Sequence, residues 1–563
     1  MISFFRKIRQ KLHSQNRFTQ YLVYAMGEIL LVTIGILKDF QIISRNEGRK
    51  RFFHFNFPKK IRIWIIVLFS FFGCDTQNRE YIDPKELTIS DIHAAYQSGK
   101  FNSQELVQAY LDRIGEMDKD INSISMINPN ALVLAKALDE EFQQTKTLRP
   151  LHGIPLIVKD NINTKGLPTT AGSLALQDFY PEEDAFIINK LVAAGAIVIA
   201  KSNMAEWAFS PMHSESSTVG ITRNPYNLDH VPAGSSGGTG ASIASNFGTI
   251  GLGTDTGNSI RGPSSHNALV GFRTTLGLVS REGIVPLFLR NDVVGPMCRT
   301  VEDAVKVLEV IAGYDPKDSL TLYSEGKIPS NYIQYLDKEG LTGARIGVLR
   351  NLVDDNPDDE VYALFEKALS DMEEQGAEII ENVEIADFEK LSEDQWCPTF
   401  RMDLVDFFKT YVKRDTLHSL EDIIRIGTKS GFSRSSMEYM ATNSLREGNP
   451  AIPCGDAYTD IRRMAFREAI EKKMDELQLD ALVYPSWNNK PARIAFFEEE
   501  YKGDNNQIIS PHTGQPAFTV PMGFTSENLP AGIQFLGRMF DEGVLIKLSY
   551  SYEQATKHRK SPN

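Results

Sequence analysis

The sequence predicts an α/β fold in which most of the sheet is buried. Two apolar runs, LHGIPLIVKDNI (151–162) and GAIVIAKSN (195–203), have the composition of strands that are covered on both faces. A helical stretch over 186–194 separates them, and this alternation is typical of a layered α/β domain. The chain has 563 residues, of which 42% are hydrophobic, so it can form either several domains or one large one.

The globular pattern begins near residue 86, and its first clear element is an amphipathic helix over 102–114. Asn102 can cap this helix, and Glu105 three residues later completes a capping box. The strand within 151–162 then places Lys159 at its end. Further helices are predicted over 301–313, 359–376 and 459–478, and further strands over 480–487 and 516–524.

The charge of the chain is unevenly distributed. Its net charge of −13 argues against a nucleic-acid-binding protein. The first 60 residues nevertheless carry 12 Lys and Arg against three acidic residues. A basic leader therefore precedes a strongly acidic body, and the two parts call for separate interpretations.

The leader contains two apolar runs. YLVYAMGEILLVTIGIL (21–37) is interrupted by Glu28 and falls short of the about 20 residues that a membrane span needs. It predicts a marginal membrane helix within a basic segment over 1–57, and hence a membrane contact through the N-terminal segment. IWIIVLFSFF (63–72) follows basic residues and has the layout of a secretory signal.

The second run ends in FFGC, which resembles the cleavage box of a bacterial lipoprotein with Cys74 as the lipidated residue. We therefore assign 58–85 to a signal-like or lipoprotein-like segment and a linker. Two interpretations stay open. In the first, two reading units are fused or the true start lies near Pro58; in the second, the enzyme is anchored through both apolar segments. A blocked Cys74 at the mature N-terminus would support the lipoprotein, and an intact Met1 would exclude it.

The cysteines show no recognisable pairing pattern. Cys74, Cys298, Cys397 and Cys454 include no CxxC motif, so neither a zinc site nor a disulfide framework is indicated. We expect the last three to be free or buried thiols.

Three short motifs suggest other chemistries but lack the required context. GSSGG (234–238) fits a nucleophile elbow with Ser236 as nucleophile, yet a loop rather than a strand precedes it. GLGTDTG (251–257) resembles a dinucleotide-binding loop, but no acidic residue ends a strand about 20 residues later. An S-x-x-K motif at 324–327 is not followed by the other motifs of a penicillin-binding fold in the right order.

A larger set of residues points to acyl transfer by a serine. Lys159 ends a strand, a Gly/Ser loop follows over 233–242, and GTDTGNSIRGP (253–263) comes next. A serine needs a base to attack a carbonyl, and a lysine can serve when burial lowers its pKa toward neutrality. A glycine-rich turn can point several N–H groups at one spot, which is what a developing oxyanion requires.

These segments resemble the amidase signature family, a group of Ser–Ser–Lys amide hydrolases. The resemblance implies one large α/β/α domain around a mixed β-sheet over 86–556, with a tail over 557–563. It rests on these ordered blocks: VKDNINTKGLPTTAGS (158–173), AKSNMAEWAF (200–209), TRNPYNLDHVPAGSSGG (222–238), GTDTGNSIRGP (253–263) and PAFTVPMGF…LPAGIQFLGRMFDE…YSYEQAT (516–556).

The resemblance implies a role for residues at matching positions. Lys159 matches the general base, and Ser259 matches the nucleophile. Ser235 matches the bridging serine, which in the family follows a cis peptide bond. The mechanism implied by these roles has two steps, passes through an acyl-enzyme, and requires no metal and no organic cofactor.

The resemblance also implies the surroundings of that triad. Backbone N–H groups of Thr256, Gly257, Asn258 and Ser259 are expected to form the oxyanion hole. Structural roles near the site are expected for a charged pair and a neighbouring serine: Asp255, Arg261 and Ser236.

The chain departs from the common family pattern at four places. Ala233 and Asn258 stand where glycine is common, Gly262 follows the arginine where Ile or Phe is common, and GFRTT (271–275) replaces GLKPT. None of these departures removes a triad residue. We expect Asn258 and Gly262 to affect substrate preference, because the carboxamide of Asn258 can extend toward the substrate.

The resemblance and the leader together imply an amidase of the bacterial cell envelope that acts on a small-molecule amide. The alternative is the glutamine-hydrolysing subunit of a tRNA-dependent amidotransferase, which would be cytoplasmic and would not need the leader. A third hypothesis, an inactive membrane-anchored binding protein, is opposed by the complete triad. A homodimer is left open.

Overall fold

The computed structural model describes residues 82–353, 357–381, 383–393, 395–442 and 454–562. The predictions for segment 1–57, and those for all but the last four residues of 58–85, lie outside the described residues. Within the described ranges, no helix combines the length and the apolar character that crossing a bilayer requires. All the described residues belong to one compact unit.

The described residues form 13 strands: β1 Ile124–Ile127, β2 Pro155–Lys159, β3 Ile197–Ser202, β4 Glu215–Ser216, β5 Gly220–Ile221, β6 Ile250–Asp255, β7 Val270–Arg273, β8 Val293–Cys298, β9 Arg345–Val348, β10 Glu378–Ile380, β11 Ala481–Pro485, β12 Ala517–Phe524 and β13 Pro530–Leu536.

The α-helices of the described residues are α1 Ile89–Ser98, α2 Ser103–Ile121, α3 Ala131–Thr145, α4 Phe186–Ala193, α5 Gly237–Ala244, α6 Arg261–His266, α7 Val301–Ile311, α8 Asp359–Glu374, α9 Phe388–Ser392, α10 Phe400–Phe407, α11 Leu420–Ile426, α12 Gly431–Thr442, α13 Ile461–Glu476, α14 Phe497–Glu500, α15 Ser510–Thr513 and α16 Glu542–Thr556. Every helix and strand predicted from residue 86 onward corresponds to one of these elements.

Eleven of the strands form one mixed sheet in the order β1-β3-β2-β6-β8-β7-β12-β13-β11-β9-β10. Strand β2 runs parallel to both of its neighbours, β3 and β6. Strands β6 and β8 are antiparallel. Every residue of β2, β3 and β6 is buried, so the sheet is covered on both faces at this point. The predicted α/β fold around a mixed sheet is confirmed.

Local signals account for where the first elements begin. The side chain of Asn102 accepts the Glu105 N–H, and the Glu105 carboxylate accepts the Asn102 N–H, so the predicted capping box is confirmed at the start of α2. Strand β2 begins later than the apolar run, because residues 151–154 form a turn closed by the Ile154 N–H and the Leu151 carbonyl.

The expectation of three free thiols is wrong for two of them. Cys397 and Cys454 form a disulfide, with Cα atoms 5.8 Å apart although 57 residues separate them in sequence. No spacing motif signals this pair, because the fold alone brings the two segments together. Cys298, on β8, is a buried free thiol as expected, and burial raises its pKa.

Candidate active site

Lys159 is the last residue of β2, and its amine is enclosed by hydroxyl groups. The Nζ atom donates to Ser235 Oγ at 2.7 Å and to Thr254 Oγ1 at 2.8 Å. Thr254 lies on the adjacent parallel strand β6, so the sheet fixes this contact. Burial lowers the pKa of Lys159 to about 7, although the charges of Asp255 and Asp292 raise it. The amine can therefore exchange a proton with a serine near neutral pH.

Ser235 reaches Lys159 from the turn that precedes α5. The Gly234–Ser235 peptide bond is cis, as the resemblance implies. Gly234 is needed for this turn, because a Cβ there would stand 2.4 Å from the carbonyl oxygens of Ser210 and His213. Close backbone contacts thus hold the Ser235 hydroxyl against the lysine.

Ser236 connects the two serine-bearing segments. Its N–H donates to the Ser259 carbonyl at 3.3 Å, and its hydroxyl donates to the Thr254 carbonyl at 3.2 Å. Ala233, just before the turn, has a φ of 61°, in the left-handed region that favours glycine. This conformation explains why glycine is common in the family at the position of Ala233.

A buried ion cluster supports the loop that carries Ser259. The Asp255 carboxylate lies 3.0 Å from Arg261 Nε and 2.8 Å from Arg273 Nη1. Burial alone raises the pKa of Asp255, but the two guanidinium groups lower it to about 2. Removing one member of such a cluster leaves an uncompensated buried charge, so the cluster holds the loop in one geometry.

Arg261 also orients the peptide group between Gly257 and Asn258. Its Nη2 donates to the Gly257 carbonyl at 2.6 Å. In a trans peptide the N–H points opposite to the carbonyl, so the Asn258 N–H points away from Arg261. Within the described chain, the N–H groups of Gly257, Asn258 and Ser259 have no hydrogen-bond acceptor. Three neighbouring donors are therefore available to an oxyanion.

Ser259 lies at the edge of a cavity and is only 4% exposed. Its hydroxyl donates one hydrogen bond among the described residues, a long one of 3.5 Å to Asn258 Oδ1. The hydroxyls of Ser235 and Ser259 are not hydrogen-bonded to each other. Catalytic hydrogen bonds are often loose before substrate binds, so this geometry is compatible with transfer between the two serines.

Asn258 and Gly262, two departures from the family pattern, are in contact. The Asn258 Nδ2 donates to the Pro211 carbonyl at 3.3 Å, which ties the side chain to a segment 47 residues earlier in the chain. A Cβ on residue 262 would stand 2.9 Å from that Nδ2 and 3.1 Å from Trp487. Glycine at 262 thus leaves the space that the asparagine fills, and the two residues compensate for each other.

This contact predicts a coupling between the two positions. Gly262→Ala should destabilise the wild-type protein by about 1–3 kcal/mol, because the added methyl group overpacks the loop. In an Asn258→Gly background, Gly262→Ala should lower the free energy of unfolding by clearly less. Thermal unfolding of the four proteins of the cycle measures this coupling. Additive effects would show that the two departures are independent.

The cavity beside Ser259 has a volume of about 400 Å³. No described residue that lines it carries a charged side chain. Its wall is largely apolar and aromatic, with Phe209, Leu287, Phe288, Trp396, Tyr439 and Met440. Cys397, which forms the disulfide with Cys454, stands in the sequence between two residues of this wall, Trp396 and Pro398. A larger cavity of about 680 Å³, near Glu282 and Asp403, contains no predicted site residue, so we place the site in the smaller one.

The sequence pattern indicates the residues of the two glycine-rich blocks but not the residues that hold these blocks in place. Thr254, Arg273 and Gln507 belong to this second group. Thr254 directly precedes Asp255 in a block that was already recognised, and Arg273 stands in the GFRTT departure, so signals existed for both. Gln507 lies about 250 residues from the loop that carries Ser259, and no local signal marks it.

Comparison with known proteins identifies the family of this chain. The Amidase family matches residues 105–546. A probable amidase of Arabidopsis thaliana is 32% identical over 531 residues, which cover 91% of this chain and 98% of that protein. A glutamyl-tRNA(Gln) amidotransferase subunit of a Cyanothece strain is 32% identical, covering 84% and 99% of the two chains.

Solved structures show the same likeness. The native peptide amidase of Stenotrophomonas maltophilia has a TM-score of 0.75 at 33% identity, covering 85% of this chain and 99% of that one. An amidase family protein of Bacillus anthracis has a TM-score of 0.75 at 30% identity, covering 90% and 98%. The chain therefore belongs to the amidase family, whose enzymes hydrolyse carbon–nitrogen bonds of amides.

Proposed function

We propose that this enzyme hydrolyses a neutral carboxylic acid amide through an acyl-enzyme on Ser259. Neutral Lys159 draws a proton through Ser235 as the Ser259 hydroxyl attacks the amide carbonyl. The oxyanion binds to the N–H groups of the 256–259 turn. Ser235 then passes the proton to the leaving amine, and water activated by the same relay releases the acid.

One observation carries this proposal. The amine of the fully buried Lys159 lies 2.7 Å from the Ser235 hydroxyl, and burial lowers the pKa of this lysine to about 7. Lys201, a second fully buried lysine, also donates to hydroxyl and carbonyl groups, but its amine lies 3.8 Å from the Asp160 carboxylate. Lys159 contacts hydroxyls and one backbone carbonyl, and no carboxylate of the described residues lies within ion-pair distance of it, so its proton can move.

The composition of the cavity supports a neutral substrate. Its apolar and aromatic wall can bury an aryl or alkyl acyl group, and burial of such a group is favourable. Free glutamine carries a charged ammonium and a charged carboxylate, which need charged or polar partners when buried. No described lining residue supplies a charge.

The similarity to the Cyanothece amidotransferase subunit supports a glutaminase as the alternative function. Assays on isolated substrates distinguish the two functions. The purified chain without a partner should hydrolyse neutral aryl and alkyl amides and should release little ammonia from free glutamine. Efficient glutamine hydrolysis, with inert neutral amides, would favour the amidotransferase function instead.

We further propose that the enzyme works in the cell envelope, with membrane contact through its N-terminal segment. The basic leader with its apolar runs supports this location. The Cys397–Cys454 disulfide supports it independently, because structural disulfides persist mainly in oxidising compartments. Sequencing of the mature N-terminus tests the proposal: a modified Cys74 is expected, and an intact Met1 would exclude the lipoprotein form.

A further inference from the structure

Gln507 lies in the wall of the cavity beside the nucleophile loop. It ends a short 3-10 helix over Asn505–Gln507 and lines the same cavity as Ser259. Its Oε1 would stand 3.3 Å from a Cβ on Gly257, so the absence of a side chain at Gly257 leaves this oxygen next to the turn. Among the described residues, no N–H or O–H donates to this oxygen.

The orientation of the Gln507 carboxamide is determined by its other end. Its Nε2 donates to Asp504 Oδ2 at 3.0 Å and to the Tyr501 hydroxyl. The Tyr501 hydroxyl in turn donates to the same Asp504 oxygen at 3.1 Å. Because a carboxylate can only accept hydrogen bonds, the amide group must present its NH₂ to Asp504. The carbonyl oxygen of Gln507 therefore has to point away from Asp504.

The turn that carries Gln507 is connected to the nucleophile loop. Arg261, which holds the Gly257 carbonyl, also donates from Nη2 to the Asn506 carbonyl at 2.8 Å. The Asn506 carboxamide donates to the Ser486 carbonyl at 2.9 Å. Gln507 is thus preorganised relative to the Gly257 turn, as a residue that recognises substrate should be.

The chemistry of the proposed function determines which part of a substrate meets Gln507. After attack, the acyl group stays attached to Ser259 Oγ and must occupy the cavity that Ser259 lines. The leaving amine departs toward Ser235, which hands it the proton. Gln507 therefore faces the acyl part of the substrate.

We propose that Gln507 is a specificity residue that accepts an N–H from the acyl part of the substrate. The preferred substrates are then N-acylamino acid amides or similar amides that carry a secondary amide N–H near the scissile carboxamide. This inference rests on the proposed function and adds a substrate class to it. A bound acyl group that shields this half-buried oxygen from water without donating to it leaves the acceptor unpaired, so the preference has a physical cause.

A pair of substrates tests this inference. N-acetyl-phenylalaninamide and its analogue, in which an ester oxygen replaces the acyl N–H, share the same scissile carboxamide. The wild-type enzyme should favour the N–H substrate by about 3- to 10-fold in kcat/KM, the range expected for one neutral hydrogen bond. Gln507→Met should reduce this ratio to about one, mainly by raising KM for the N–H substrate.

Gln143→Met is a matched control, because Gln143 is an exposed residue of α3. It should leave the ratio unchanged. Activity on the analogue reports correct folding of each variant. An unchanged ratio in Gln507→Met, or an equal loss on both substrates, would overturn the inference while the proposed function stands. Failure of the wild-type enzyme to hydrolyse any neutral amide would instead contradict the proposed function.

Discussion

Ser259→Ala should lower kcat for a neutral amide by at least about 10⁴-fold, because loss of a nucleophile abolishes acyl transfer. The effect should appear in kcat rather than in KM, since the cavity wall and the N–H groups of the turn are unchanged. Loss of the hydroxyl breaks only a long contact of 3.5 Å to Asn258, so the variant should fold like the wild type. Steady-state kinetics measures kcat and KM, and thermal unfolding measures the stability of the variant.

Ser264→Ala is the matched control for this variant. Ser264 lies five residues further on in α6, and its buried hydroxyl has no hydrogen-bond partner in the described chain. The activity of Ser264→Ala should stay within a few-fold of that of the wild type.

Ser236→Ala tests the interpretation of GSSGG as a nucleophile elbow. If Ser259→Ala hydrolysed the amide at the wild-type rate and Ser236→Ala did not hydrolyse it, Ser236 would be the nucleophile instead.

Lys159→Met should lower kcat/KM by about 10²- to 10⁴-fold, the range for loss of a general base. The pH profile carries the more specific expectation. Burial lowers the pKa of Lys159 to about 7, and only the neutral amine can accept a proton. Wild-type kcat/KM should therefore rise with pH through about 7 and then level off. Lys159→Met should lose this rise, and a rise that persists in the variant would assign it to another group.

The same pKa predicts how stability depends on pH. Between the folded pKa of about 7 and the ordinary value of 10.5, the unfolded chain holds one proton that the folded chain lacks. Wild-type stability should thus rise by about 1.4 kcal/mol per pH unit more steeply than that of Lys159→Met in this window. Below pH 7 the two slopes should converge. Parallel curves throughout would show that Lys159 stays charged in the fold.

Much of the fold follows from local sequence patterns. The buried strands over 151–162 and 195–203 were predicted because apolar runs of that length need cover on both faces. The capping residue Asn102 determined where α2 begins. Strand order, by contrast, depends on contacts far apart in sequence: β12 lies beside β7, although about 240 residues separate them.

The candidate site was predictable where its residues share short glycine-rich blocks. Ser235 and Ser259 stand in such blocks, whereas Lys159 ends an apolar run. The structure brings Lys159 and Ser235 within hydrogen-bonding distance. The disulfide between Cys397 and Cys454 and the position of Gln507 depend on the tertiary fold alone, so no local pattern reveals them. The compensation between Asn258 and Gly262 was visible as two departures, but only coordinates show that they touch.

Covalent labelling tests the central claim most directly, namely that Ser259 is a nucleophile activated by Lys159. A serine-directed fluorophosphonate is added to the enzyme, and peptide mass spectrometry locates the adduct. The proposed mechanism predicts one adduct on Ser259, none in Ser259→Ala, and much slower labelling in Lys159→Met. An adduct on Ser235 or Ser236, or labelling of Ser259 at the wild-type rate in Lys159→Met, would contradict it.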